Sequence, residues 1–218
     1  MLTRRVTILC GHYGSGKTNI AINYAEYIKS KGLPVAIADL DIVNPYFRTK
    51  DSQQELKSAG IELVSLEFAG SNVDLPALPS AAYGLVQRKD RYVVLDIGGD
   101  DRGAYALGRY VPYILEENDY DMLLVTNFYR PLTRTVEDTV EVMKEIESAS
   151  RMKFTGIVNN SNIGEATTAK EIVSTFSLAD ELSKVTGLPV KMTCAEEKLA
   201  DSIECENLFS LKLQKKPF

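Results

Sequence analysis

Gly11-His12-Tyr13-Gly14-Ser15-Gly16-Lys17-Thr18 carries the spacing G-x-x-x-x-G-K-[ST] directly after the apolar, β-prone run Val6 to Cys10. Each fixed place in that pattern has a chemical reason. Glycines let successive backbone N–H groups turn inward onto phosphate oxygens, the lysine reaches the β- and γ-phosphates, and the final hydroxyl holds Mg²⁺. Gly11, Gly14, Ser15, Gly16, Lys17, Thr18 and the adjoining Asn19 are therefore candidate nucleotide ligands, with Thr18 also on the metal. Ile20, Ala21, Tyr24, Ala25 and Ile28 follow at helical spacing, so the loop lies between a strand and a helix N-terminus, where the helix dipole favours an anion.

Two further strand ends deliver carboxylates. Arg91 to Leu95 runs into Asp96-Ile97-Gly98-Gly99, which predicts Asp96 as a magnesium acid and Gly98 or Gly99 as a backbone donor to the γ-phosphate, free to swing after hydrolysis. In Ala38-Asp39-Leu40-Asp41 the alternation points both acids the same way. Asp41 is the candidate to orient or deprotonate the attacking water, and Asp39 to support the metal shell. Asn44 to Arg48, with Tyr46 and Phe47, is a candidate switch or partner-contact loop.

These groups need a frame that gathers strand ends. Val6–Cys10, Pro34–Asp39, Ile61–Phe68, Tyr92–Ile97, Asp121–Thr126, Phe154–Val158 and Pro189–Thr193 read as buried strands. Helical patterns occupy Gln53–Ala59, Ser80–Arg88, Gly103–Glu116, Leu132–Ser148, Ala166–Thr186 and Ala195–Cys205. The alternation predicts an α/β fold: a three-layer, doubly wound, mostly parallel sheet of about seven strands in one domain spanning 1–218.

The composition narrows the function classes. With 25 Lys and Arg against 30 Asp and Glu the formal charge is −5, and the bases are scattered, which argues against DNA binding. The start of the chain has no signal-peptide core and no run is long enough to cross a membrane, so a cytoplasmic location is expected. Cys10, Cys194 and Cys205 form no C-x-x-C, which disfavours a disulfide framework or a self-contained zinc site. The segment Asn207 to Phe218 mixes leucines with lysines; packing on the fold is expected over membrane contact.

The combination of G-H-Y-G-S-G-K-T, D-L-D and D-I-G-G resembles the MinD/ParA branch of P-loop NTPases and the related CobQ/CobB-type nucleotide-binding domains, over nearly the whole chain. The resemblance implies ATP and Mg²⁺ as cofactors, Gly14, Gly16, Lys17 and Thr18 as phosphate ligands, Asp41 on the water and Asp96 on the metal. It also implies a homodimer whose assembly depends on nucleotide. The branch carries K-G-G-x-G-K-T, whereas here His12 stands at the signature lysine and Tyr13 at the first paired glycine. Either His12 supplies transition-state charge or another cation does, Arg102 and Arg109 being candidates. Gly156 to Asn160 resembles the strand end that offers an asparagine to adenine, which points to Asn160 and then Asn159, and Thr193 to Glu196 is expected to close over the base. No N-K-x-D imposes guanine. The functions implied are an ATPase switch acting on an unidentified protein partner, an ATP-dependent synthetase or kinase for a small carboxylate substrate with Arg48, Arg102, Arg109 and Arg130 as clamps, or a non-catalytic nucleotide sensor.

Overall fold

Strands covered on both faces are apolar along most of their length, because neither face meets water. β1 (Val6–Cys10) and β2 (Val35–Leu40) are buried at every residue, with Thr7 and Asp39 as their polar positions. A computed structural model describes residues 4–40, 50–65, 80–99 and 101–213. It joins these strands with β3 (Glu62–Ser65), β4 (Tyr92–Ile97), β5 (Tyr120–Thr126), β6 (Gly156–Asn159), β7 (Val190–Glu196) and β8 (Leu208–Leu211) into one sheet of eight, ordered β3-β2-β4-β1-β5-β6-β7-β8. Every pairing is parallel. After β1 the chain winds outward to β2 and β3, returns to β4, and only then builds the other half from β5. That reversal leaves a crevice at the carboxyl end of β1, where α/β sheets bind ligands.

Side-chain alternation sorts the core onto the two faces of the sheet. Leu9, Ile37, Val94 and Leu123 pack with Ile20, Tyr24 and Ile28 of α1 (Lys17–Ser30). On the opposite face Ile8, Ala38, Leu40, Leu95 and Leu124 meet Leu85 of α3 (Ser80–Gln87), Leu107 of α4 (Asp101–Gly108), Ile114 of α5 (Val111–Glu117) and Val136 of α6 (Val136–Ser150). α2 (Lys50–Ser58) places Leu56 on the α1 face.

The structure departs from the sequence expectations in the second half. The stretch 103–116 is two helices, α4 and α5, separated by a turn in which Tyr110 is fully buried. The stretch 166–186 is likewise α7 (Ala169–Ser174) and α8 (Phe176–Thr186), hinged at Thr175. Thr175 Oγ1 donates to Ile172 O at 2.7 Å and accepts from Asn159 Nδ2 at 3.0 Å. Residues 195–205 are not an α-helix: β7 continues through Glu196 and a 3₁₀ run follows over Glu197–Ser202. Cys194 thus lies on a strand and Cys205 beyond the 3₁₀ run. The lysine-rich end contributes the eighth strand, whose Phe209 ring sits 6.1 Å from both Tyr24 and Tyr27. Asn23 of α1 clasps it, donating to Lys212 O at 3.0 Å and accepting from Lys212 N at 2.8 Å. Among the described residues no helix is long and apolar enough to cross a membrane.

Candidate functional site

The loop between β1 and α1 adopts a shape that side chains would block. Gly14 and Gly16 have φ of +77° and +88°, in the left-handed region. A Cβ on Gly11 would strike the carbonyl oxygen of Val125, and one on Gly16 would strike the Asn160 amide. α1 then begins with no acid in its first turn and no side-chain hydrogen bond at its N-cap, so the helix end suits an outside anion. Lys17 is buried and folds back over the loop, its Nζ donating to Gly11 O at 2.8 Å and His12 O at 3.1 Å. Ser15 is buried, the Tyr13 ring is exposed, and His12 is half-buried with Nδ1 at 3.1 Å from Tyr13 O. Asn19 sits one turn into the helix, its carbonyl accepting from Asn23.

The neighbouring strand supplies the acids. Thr18 Oγ1 donates to Asp96 Oδ2 at 2.6 Å, joining the loop to the end of β4. Asp39 and Asp96 are register partners on β2 and β4, and both are buried. Alternation places them on the α1 face, so two carboxylates lie one strand spacing apart beneath the loop. Gly98 and Gly99 follow Asp96 after one residue, Ile97. A Cβ on Gly99 would sit 2.5 Å from Tyr13 N and 2.9 Å from His12 C, so only glycine allows this segment to lie against the loop. Gly103 at the start of α4 makes an equally close approach, its Cβ position falling 2.5 Å from Gly98 O. Burial pushes the Cys10 thiol just below the loop up to about 12; Lys17 opposes the shift and Asp96 adds to it.

Some expected contributors lie elsewhere. Asp41, Tyr46, Phe47 and Arg48 are outside the described residues. Arg109 is exposed beyond the far end of α4. Thr193 to Glu196, expected as a loop over the base, form the end of β7, because pairing with β8 extends the strand. Asn159 is turned into the protein, its amide bonded to Thr175 and its oxygen accepting from Ser161 N at 3.2 Å and Ser161 Oγ at 2.7 Å. Asn160 Nδ2 donates to Ser15 O at 2.7 Å, bracing the loop from β6.

No protein-family model matches the sequence, and no curated protein matches it. Solved structures do. Cell division protein FtsY from Thermotoga maritima superposes with a TM-score of 0.63 at 17% identity, covering 89% of this chain and 62% of that one. Signal recognition particle receptor FtsY from Elizabethkingia anophelis in complex with GDP gives 0.56 at 18%, covering 99% and 61%. The signal recognition particle 54 kDa protein from Aeropyrum pernix in complex with GDP gives 0.53 at 15%, covering 88% and 41%. The fold they share with this chain is P-loop NTPase-like, an α/β fold with an all-parallel sheet of eight strands here. At such identities the likeness concerns the fold alone, and this chain spans only part of each of those proteins.

Two residues outside the loop's own motif reach its backbone. Asn160, the candidate for contact with a base, braces the loop through Ser15 O. Arg130 was considered only as a substrate clamp, yet its Nε donates to Gly14 O at 3.1 Å. Arg130 follows β5 and Asn160 follows β6, so their approach depends on sheet order, which local sequence does not encode.

Proposed function

We propose that this protein binds ATP with Mg²⁺, hydrolyses it, and works as a nucleotide-driven switch on a partner, in the manner of the MinD/ParA and CobQ/CobB branch its motifs resemble. The Thr18–Asp96 hydrogen bond of 2.6 Å at the mouth of a glycine cradle carries this reading, since it brings together the hydroxyl and the acid that the motifs assign to the metal. Among the described residues no three His, Cys, Asp or Glu side chains gather as a metal site of their own. Mg²⁺ would be held by Thr18 and Asp96, with Asp39 beside them, and by oxygens of nucleotide and water. When bound, Mg²⁺–ATP supplies an electrophilic phosphorus and a metal that neutralises developing charge.

The chain's own groups do the rest. Loop N–H groups and the α1 N-terminus receive the phosphates. Lys17 exchanges its two backbone carbonyl partners for phosphate oxygens, and Gly98 or Gly99 turns an N–H toward the last phosphate. The Gly99 approach to His12 and Tyr13, with Gly103 stacked on Gly98, would pass any shift of that segment to α4. Asp41 is assigned the attacking water from the D-L-D sequence. Adenine is favoured over guanine by the lack of N-K-x-D, and the GDP held by two of the similar structures makes both bases necessary in the test.

Steady-state phosphate release from Mg²⁺–ATP and Mg²⁺–GTP, measured over a wide range of protein concentration, tests the proposal. Specific activity that rises with concentration supports a nucleotide-dependent homodimer. ATP binding without release points to the synthetase or the sensor reading, and a screen of small carboxylates as second substrate separates the two. Absence of binding to either nucleotide rejects the proposal.

A further inference from the structure

We propose that Arg130 is a phosphate-charge residue supplied in cis, a guanidinium held at the loop to contact the terminal phosphate of a bound nucleoside triphosphate; this rests on the nucleotide reading above. The backbone of Arg130 is unusually well fixed for an exposed residue. It follows β5 in a tight turn in which Arg130 N donates to Asn127 O at 2.9 Å and Thr133 N donates to Arg130 O at 3.1 Å. Thr133 Oγ1 closes on the same Asn127 carbonyl at 2.6 Å. Pro131 keeps Arg130 extended, with φ −94° and ψ 141°. The turn is in turn pinned by the fully buried Asn127, whose Oδ1 accepts from Tyr129 N at 3.0 Å and Asn162 N at 3.2 Å while its Nδ2 donates to Asn162 O at 3.0 Å.

From that anchor the side chain reaches the loop across 116 positions of sequence. Nε donates to Gly14 O, and Nε and Cζ are the atoms nearest to a Cβ on Gly14, at 3.5 and 3.6 Å. The terminal nitrogens Nη1 and Nη2 have no hydrogen bond or ion pair among the described residues, so the end of the fork that suits phosphate is unengaged. Sheet order explains the placement. β1 lies between β4 and β5; β4 brings Asp96 to one side of the loop, and β5 brings Arg130 to the other. The charges also call for it. A magnesium-bound triphosphate keeps about two negative charges, and Lys17 offsets one. Among the described residues, Lys17 and Arg130 are the lysine and arginine side chains that hydrogen-bond to the loop backbone. The arginine thus adds a second positive charge to that of Lys17 at the loop, from within the same chain.

Three proteins, wild type, Arg130→Gln and Arg130→Lys, are titrated calorimetrically with Mg²⁺ and either an ATP analogue bearing a non-hydrolysable β–γ bridge or ADP. Glutamine keeps an N–H for Gly14 O and removes the charge; lysine keeps the charge and removes the fork. Arg130→Gln is expected to bind the triphosphate about tenfold more weakly, the worth of one charge-assisted hydrogen bond, and the diphosphate within about twofold of wild type. Arg130→Lys is expected to lie between, and the loss in Arg130→Gln, which removes the charge, is expected to shrink at high salt. Wild-type affinity of Arg130→Gln for both ligands would overturn the assignment, as would an equal loss on both, which would make Arg130 a strut for the loop. Wild-type protein that binds neither these ligands nor their guanine counterparts would instead overturn the nucleotide reading itself, and Arg130 with it.

Discussion

Gly99 is where a single methyl group decides whether the site can form. Its Cβ position lies 2.5 Å from Tyr13 N and 2.9 Å from His12 C, both backbone atoms that cannot rotate away. Gly99→Ala is therefore expected to push the loop out of shape and weaken nucleotide binding at least about tenfold, while costing about 1–3 kcal/mol of stability as overpacking does. Gly84→Ala is the matched control. Gly84 lies inside α3 with nothing within 4 Å of its Cβ position, so alanine there is expected to raise stability by about 0.5–1 kcal/mol and leave binding alone. Urea unfolding and a nucleotide titration on the two variants separate these outcomes; equal binding by both would show that the contact does not shape the site. The residues that local spacing defines, Lys17, Thr18 and Asp96, were legible in the sequence because a phosphate loop and a strand end are each written in one short segment. The register match of Asp39 with Asp96, and the approach of Asn160 and Arg130, arise from strand pairing and could not be read the same way.

The elements are held in register by polar ties between distant segments. Arg5, at the start of β1, is buried; it pairs with Glu117 of α5 and donates to Arg88 O at 2.9 Å, Arg91 O at 3.2 Å and Val86 O at 2.8 Å. One guanidinium thus caps the end of α3, the turn before β4 and the end of α5. Arg5→Ala strands a mostly buried carboxylate and three carbonyls, and is expected to cost about 3–5 kcal/mol, read as a lower urea midpoint with unchanged slope. A change below about 1 kcal/mol would mean that water replaces the arginine fully. Helix ends show why some boundaries were legible and others not. α6 starts where Thr135 caps Asp138 N at 3.1 Å, and α7 where Thr168 and Glu171 form a capping box, both local signals. The stretch after Thr193 is rich in alanine, glutamate, lysine and leucine and so reads as helix. Pairing of Thr193 to Glu196 with Leu208 to Leu211 overrides that propensity, and the partner strand lies too far along the chain for a short window to include it.

At the scale of the whole molecule, the three cysteines report which parts open together. Cys10 precedes the loop on the central strand and is buried, with its thiol raised to about 12; Cys194 is buried on β7 and its thiol is also pushed upward by burial. Cys205 is partly exposed, its Sγ donating to Asn207 Oδ1 at 2.8 Å. Because the thiolate is the nucleophile, an alkylating reagent should modify Cys205 readily and reach the other two only when the fold opens. A ligand that binds only the intact loop lowers the open population by about the factor 1 + [L]/Kd. Mg²⁺–ATP at about 100 times its Kd should therefore slow labelling of Cys10 about 100-fold and leave Cys205 unchanged. Cys194 then gives the size of the unit that opens. Equal protection of Cys10 and Cys194 means the sheet opens as one body from β1 to β7, as its unbroken parallel pairing suggests; protection of Cys10 alone means that the β4-β1-β5 centre opens by itself. Unprotected Cys10 in the presence of bound nucleotide would break the link between the loop and its strand, since the thiol sits one residue before Gly11 and cannot be exposed while that cradle stays closed.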